Sequence, residues 1–460
     1  MDRREFIRMS AAAVGGGLFG TPFARASMDW QLIAARGTHR FLPDQAMPTE
    51  VMHYNRSIPG PLLRMPQGKS TEILFVNDLD EPSTVHWHGL RIQNSMDGVA
   101  DLTQAPVMPG ETFRYRLTPP DAGTYWYHTH MRSWAQLARG LAGVLIVDEE
   151  NPPVVDQDLV CAIDDWRLSD DLQFHDASLG ALRDWAHEGR TGNVFTVNGK
   201  VHETFPVASG ERIRLRLLNI ANARVMRLLL NESEASVIAL DGQPVTPFTP
   251  SAGGLTLAPG GRADLIVDMS GQAGQGSLLE LVAGDYAYEI ARFEYRAGAR
   301  RTDLPDSPIA LPLNPLNHQK LPDAFVRVPL LMEGGAMGGL DSAIFRGEKL
   351  AMRELAQRHK QVWSFNGVAG MPVEPLFRVA RGTAVSLDVH NANRWSHAMH
   401  VHGHHVQYDH EPGVWRDTVL FQREERGALQ FIADNPGKWL IHCHMAEHMA
   451  GGMVTWFEVT

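Results

Sequence analysis

One pattern is written three times along this chain, and it constrains the fold more than any other feature. Tyr54-Asn55-Arg56-Ser57-Ile58-Pro59-Gly60, Phe195-Thr196-Val197-Asn198-Gly199 and Trp363-Ser364-Phe365-Asn366-Gly367 open three copies with related words. A glycine (Gly68, Gly210, Gly382) follows each, and after it a segment of alternating apolar residues over 70–77, 213–219 and 384–389. A second signature, Met108-Pro109-Gly110-Glu111 and Ala258-Pro259-Gly260-Gly261, recurs in the first two copies. Self-similarity of this kind means that each copy is one structural unit. Apolar residues at period two, bounded by Gly, Pro, Asn and Asp, predict β-strands. Many short strands at such spacing predict Greek-key β-sandwiches. A chain of 460 residues is too long for a single core. The expectation is therefore an all-β protein with domains over 27–150, 151–305 and 325–460, and a Pro- and Asn-containing linker over 306–324. Helix is expected only over 178–189 and 348–359.

The repeat also places the chemistry. His86, in His86-Trp87-His88-Gly89, stands at the same offset from Gly68 as His400, in His400-Val401-His402-Gly403, does from Gly382. His128, in His128-Thr129-His130, follows Gly123 at the same offset as His442, in His442-Cys443-His444, follows Gly437. The middle copy carries Asn219-Ile220-Ala221-Asn222 where the first histidine pair belongs, and has no counterpart of the second. It keeps the scaffold without the ligands and is expected to act as a spacer or shield.

In a strand, residues i and i+2 point to one face. Each His-x-His pair can then offer two imidazoles to one metal, or one each to two neighbouring metals. A single pair is weak evidence, because histidines often sit satisfied in cores. Four pairs in duplicated frames are specific. His397, His448 and Met453 join Cys443 as a second set, and a thiolate, two imidazoles and a weak thioether are the ligands of a blue-copper site. Structural zinc would prefer four closed ligands, mostly Cys, whereas this chain has two cysteines in all. That count also excludes a disulfide scaffold. Cys161, in an apolar stretch, reads as a small buried hydrophobe.

Taken together, His86-x-His88-Gly89, His128-x-His130, His397-x2-His400-x-His402-Gly403-His404 and His442-Cys443-His444-x3-His448-x4-Met453 resemble the four copper motifs of the multicopper oxidase family. The resemblance covers nearly the whole chain after residue 26. It implies three cupredoxin-like Greek-key β-sandwich domains and four copper ions. His397, Cys443, His448 and Met453 would hold the type 1 copper. His86 and His400 would hold type 2, and His88, His128, His130, His402, His442 and His444 the type 3 pair. The cluster would lie between the first and third domains, which both supply ligands. Ser396-His397-Ala398-Met399 lacks the family's usual Pro after the first histidine. The implied reaction takes electrons singly from a small-molecule reductant and delivers four to O2, making water. That reaction consumes protons, and Asp97 matches the acidic residue that the family places after its first motif. Relatives often carry a second Glu after the position of His448; here Met449 stands there, with Glu447 as a weaker substitute.

Met332, Met337, Met352 and Met371 are dispersed and make no Met-rich lid. An uncovered type 1 edge is the expectation, with a laccase-like reaction on phenols or aromatic amines, and Cu(I) oxidation in copper tolerance as the alternative. A copper-free scaffold or cell-division relative is the second alternative, weakened because every ligand is present. His405 and His410 read as surface residues. The net charge of −11 with neutral His and the scattered Lys and Arg disfavour nucleic acid and anionic membranes as partners. Arg3-Arg4-Glu5-Phe6-Ile7, an apolar run to Phe23 and Ala24-Arg25-Ala26 read as a twin-arginine signal peptide over 1–26. The expectation is export by the twin-arginine machinery to the periplasm, with no membrane anchor in the mature chain.

Overall fold

The computed structural model describes residues 30–231, 234–251, 254–297 and 309–460. The signal peptide expected over 1–26 lies outside the described residues, as do the first residues of the expected linker. The regular structure of the described residues is mostly strand and forms three β-sandwiches in succession. No helix among the described residues is long and apolar enough to cross a membrane.

The first sandwich pairs a sheet ordered Thr49–Tyr54, Trp30–His39, Thr71–Asp78, Thr112–Leu117 with one ordered Gly60–Pro66, Ala142–Asp148, Gly123–Thr129, Val85–His88. The second packs a six-stranded sheet centred on Arg212–Asn219 and Arg262–Asp268 against a five-stranded one centred on Gly276–Ala283. The third packs a six-stranded sheet centred on Thr383–Asn391 and Arg426–Ala433 against five strands that include Gly437–Cys443 and His397–Val401. Each sandwich buries its own cluster of apolar side chains. Leu32, Ile73 and Phe75 are among those of the first, Ile213, Leu215 and Leu265 of the second, and Leu330, Leu387 and Phe431 of the third.

The threefold word has one structural cause. In every copy the entry strand runs parallel to the strand after the glycine: Trp30–His39 with Thr71–Asp78, Gln157–Trp166 with Arg212–Asn219, Val326–Gly334 with Thr383–Asn391. The repeated Asn sits in a two-residue turn closed by the bridges Tyr54–Ser57, Val197–Lys200 and Phe365–Val368. Both central residues have positive φ, at 51° and 62°, 52° and 76°, and 49° and 74°, the geometry of a type I′ turn that Asn and Gly tolerate. The Asn amide then completes the edge of the entry strand. Asn55 accepts from Ile33 N and donates to Gln31 O. Asn198 does the same with Ala162 N and Val160 O, and Asn366 with Leu331 N and Pro329 O.

The helical expectations are met only in part. Over 178–189 a helix spans just Leu182–Ala186. Over 348–359, Glu348–Ala351 is a strand paired with Ser342–Phe345, and only Met352–Glu354 and a wider turn at Leu355–His359 are helical. Hairpin pairing overrides the local propensity there. The described part of the 306–324 stretch is a packed strap. Leu311 and Leu316 are buried. Asn314 donates to Ala122 O of the first domain and to Gln243 Oε1 of the second, and accepts from Ala122 N.

Candidate metal centre

Two antiparallel pairs carry the four His-x-His motifs, in the same register. Val85–His88 lies beside Gly123–Thr129 with His86 opposite His128. His397–Val401 lies beside Gly437–Cys443 with His400 opposite His442. Between the paired histidines, Trp87 and Val401 turn the other way into the cores of their own domains, as strand alternation requires. The first and third domains bring these surfaces together. His86 stacks on His402 with ring centroids 4.0 Å apart, and His88 on His400 at 3.8 Å. The first histidine of each domain thus lies on the second of the other. His130 approaches both His402 and His442, at 5.1 and 5.3 Å, and His444 approaches His88 at 4.8 Å. All eight are buried.

In six of the eight the outward nitrogen is occupied. His86 Nδ1 donates to Asp97 O at 2.8 Å, His400 Nδ1 to Asp417 O at 2.8 Å, His128 Nδ1 to Thr129 O at 2.8 Å and His442 Nδ1 to Cys443 O at 2.9 Å. His402 Nδ1 donates to Asp97 Oδ2 at 2.9 Å, and His88 Nε2 to Asp417 Oδ1 at 3.0 Å. A carbonyl or carboxylate can only accept, so each bond fixes a tautomer and aims the other nitrogen's lone pair inward. His86 Nε2, His88 Nδ1, His128 Nε2, His130 Nε2 and His400 Nε2 consequently have no hydrogen-bond partner, nor does either nitrogen of His444. His402 Nε2 and His442 Nε2 face each other at 3.0 Å, two lone pairs with no proton between them. Burial holds His442 at a pKa of about 4 and holds His402 well below the ordinary value, so neither supplies that proton near neutrality. Buried lone pairs in contact are costly unless a cation takes them. The donors fit a cluster of metal ions.

The second set shows the same signature. Cys443 Sγ is 3.6 Å from His397 Nδ1 and 3.7 Å from His448 Nδ1, and those nitrogens are 3.0 Å apart. His397 Nε2 donates to Asn393 Oδ1 at 3.0 Å and His448 Nε2 to His187 O at 2.7 Å. Again two lone pairs meet, here beside a thiol. Burial pushes the Cys443 thiol up to about 12, so the thiolate forms there only beside a cation. Met453 is buried in the same core. Sulfur and two imidazoles in a near-triangle fit copper rather than the closed Cys-rich cage of structural zinc.

The ten histidines and Cys443 named from the sequence gather in these two sets, and Met453 shares the apolar core with Cys443. Asp97 is buried beside the eight-histidine cluster, with Oδ1 also 3.3 Å from His86 Nδ1. Glu447 points away, toward the middle domain. Its carboxylate accepts from Asn222 Nδ2 and Arg190 N, and burial raises its pKa to about 7. Asn222 belongs to the segment where the middle copy lost its first histidine pair, and that position now docks the third domain. Met449 lines a small void beside His130 and His442.

Two expectations fail. His405 is buried, 3.1 Å from Asp241 O, because the middle domain covers it; His410 is exposed as expected. The edge of His448 is covered as well. Trp185 packs into the core of the third domain, its carbonyl accepts from Trp363 Nε1, and the His187 carbonyl caps His448. Beside this cover a cleft of about 530 Å3 runs between the second and third domains, lined by Glu188, Arg224, Trp395, Ser396, Gln422 and Met445 among others. Trp395 packs on the His187 ring at 5.0 Å. Asp417, Asn393 and the His187 carbonyl have no motif in the sequence, and Arg262 is marked only by following the second repeated signature. The one signal for Asp417 is a carboxylate, next to Arg416, inside the strand-like run Trp415 to Phe421.

Known proteins resemble the chain along its length. Residues 37–152, 158–277 and 346–460 each match a family model described as multicopper oxidase. The multicopper oxidase MmcO of Mycobacterium tuberculosis is 30% identical over 87% of this chain and 82% of its own. A laccase of Neurospora crassa is 26% identical over 95% and 79%. The crystal structure of a multi-copper oxidase from Pseudomonas thermotolerans superposes with a TM-score of 0.81 at 30% identity, over 94% of this chain and 98% of that one.

Proposed function

The chain belongs to the multicopper oxidase family, and we propose that it is a four-copper enzyme whose reductant is a phenol or aromatic amine. It is a copper-dependent oxidoreductase of the laccase type with O2 as electron acceptor. In this reading His397, Cys443, His448 and Met453 hold a type 1 copper, and His86 and His400 a type 2 copper. His88, His128 and His444 hold one type 3 copper, and His130, His402 and His442 the other. The donor atoms of His130, His402 and His442, and those of His397, Cys443 and His448, converge as this division requires. Copper bound there supplies one-electron chemistry between the reductant and O2.

A single observation carries the reading. Cys443, the sulfur donor of one set, is joined through one peptide link to His442 and through another to His444, which belong to the other set. A covalent path therefore runs from the thiolate to both halves of the histidine cluster. On the entry side, Trp395 and the His187 backbone stand between the cleft and His448. An aromatic ring seated in the cleft can pack on Trp395. Met332, Met337, Met352 and Met371 do not line the cleft, so it offers soft thioethers only at Met445, and this favours an aromatic donor over Cu(I). Asp97 touches His86 and His402 from opposite domains, a place from which it can hold and pass the protons that oxygen reduction consumes.

Arg3-Arg4 and Ala24-Arg25-Ala26 support export by the twin-arginine route to the periplasm, with a mature chain starting near Ser27 and no membrane anchor. The test of the function is oxygen uptake by copper-loaded protein, with a phenol and with Cu(I) as donors in the same preparation. Faster turnover of the phenol supports the reading. Faster turnover of Cu(I) replaces it with cuprous oxidation. Oxygen uptake by Cys443→Ser equal to wild type ends it.

A further inference from the structure

The middle domain, which has no metal ligand, nevertheless reaches the histidine cluster. Its turn Ala258-Pro259-Gly260-Gly261 is the second repeated signature of the sequence, and here it is wedged against the ligands. Gly260, at φ +88°, lies so close that a Cβ would come within 2.9 Å of the His88 ring and 3.1 Å of His444. Arg262 follows. Its guanidinium is buried and grips Asp417 with two bonds, Nη1 to Oδ1 at 2.7 Å and Nη2 to Oδ2 at 2.6 Å. Further donors are tied to Gly260 O and Thr124 O, so this one side chain touches all three domains. A Cβ on Gly89 would strike both Arg262 and Asp417, which explains the glycine after the first His-x-His pair.

Asp417 is the group that orients His88. Six of the eight cluster histidines have one nitrogen donating to a named acceptor, and of these only His88 donates through Nε2, leaving Nδ1 to face the cluster. The Asp417 carbonyl also accepts from His400 Nδ1, and Thr418 Oγ1 lies 3.2 Å from both rings. A carboxylate free to rotate would let the His88 ring turn. A carboxylate held in a planar two-pronged grip cannot.

We propose that Arg262 is a positioning residue for the copper cluster. It acts through Asp417 to fix the tautomer and rotation of His88 and the seat of His400. The middle domain thereby decides whether the type 3 pair assembles, although it binds no metal. Removing such outer partners typically weakens metal retention about 10- to 100-fold. The inference rests on the four-copper reading above.

The test uses copper-loaded full-length protein, Arg262→Lys, and the double variant Arg262→Gln/Asp417→Asn, which removes both charges together and leaves no lone buried ion. Three readouts are taken per chain: total copper, the blue thiolate absorbance, and the EPR-silent copper expected of a coupled pair. They are followed as a chelator is titrated in. Wild type reports on the four-copper reading alone, which fails by itself if no EPR-silent copper is found. Given that copper, both variants are expected to keep the blue band and to lose the EPR-silent pair at a chelator concentration about 10- to 100-fold lower, with Arg262→Lys less affected. Retention of the pair at the wild-type concentration overturns the proposal. Loss of the blue band together with the pair in both variants also overturns it, because Arg262 then serves the fold as a whole.

Discussion

Asp97 and Asp417 occupy equivalent places on the two sides of the histidine cluster. Each accepts through its backbone carbonyl from the first histidine of its own domain, His86 or His400, at 2.8 Å. Each then reaches across with its carboxylate to the second histidine of the other domain, His402 at 2.9 Å or His88 at 3.0 Å. The two are not equal in their surroundings. Arg262 clamps both oxygens of Asp417, whereas no Arg or Lys pairs with Asp97 among the described residues. One carboxylate is a fixed strut. The other has no such clamp, in keeping with the proton role proposed for it.

Asp97→Asn keeps an acceptor oxygen for His402 and loses the acid. Oxygen uptake should fall about 10²- to 10⁴-fold, the range of a lost general acid, while anaerobic reduction of the blue band by a phenol stays at the wild-type rate. Stopped-flow absorbance separates the two steps. Equal slowing of both would remove Asp97 from the proton path.

Trp395→Ala should weaken the grip on an aromatic reductant. A stacked aromatic pair contributes about 0.5–1.5 kcal/mol, so KM for a phenol should rise about 2- to 10-fold with oxygen affinity unchanged. An unchanged KM would place the reductant elsewhere than the cleft.

Asn198→Gly keeps the positive φ of the turn and deletes the two bonds to Ala162 N and Val160 O. A loss of about 1–2 kcal/mol is expected, read as a Tm lowered by several degrees. Asn198→Ala should lose more, since Ala tolerates φ 52° poorly. Equal melting of all three proteins would reduce the repeated Asn to a sequence coincidence.

His39, half-buried, reaches Gly199 O across the first and second domains at 2.7 Å. Burial, the larger influence, pulls its pKa below the ordinary value against that hydrogen bond. A folded-state value below the unfolded one of about 6.5 means that the unfolded chain takes up the proton first. The penalty is absent well above that pH and grows as pH falls through the unfolded value toward the folded one. His39→Gln should therefore lose less Tm than wild type between pH 7.5 and 5, which paired melting curves would measure. Parallel curves would count against it.

Along the chain, the spacing of His86, His88, His128, His130, His397, His400, His402, His442, Cys443, His444, His448 and Met453 already singled out both ligand sets, and the alternation around Gly68, Gly210 and Gly382 already implied sandwiches. Those properties are local. Strand period puts i and i+2 on one face, and a duplicated frame puts equivalent histidines at equivalent heights, whatever the rest of the molecule does. Docking decided the remainder. Asp417 meets His88 across 329 residues of chain and Arg262 across 155, while the cover over His448 comes from a carbonyl 261 residues away. No period or spacing links such positions, because they meet only where three sandwiches settle their faces against one another. For the same reason His405 reads as a surface residue in the sequence and is buried in the fold.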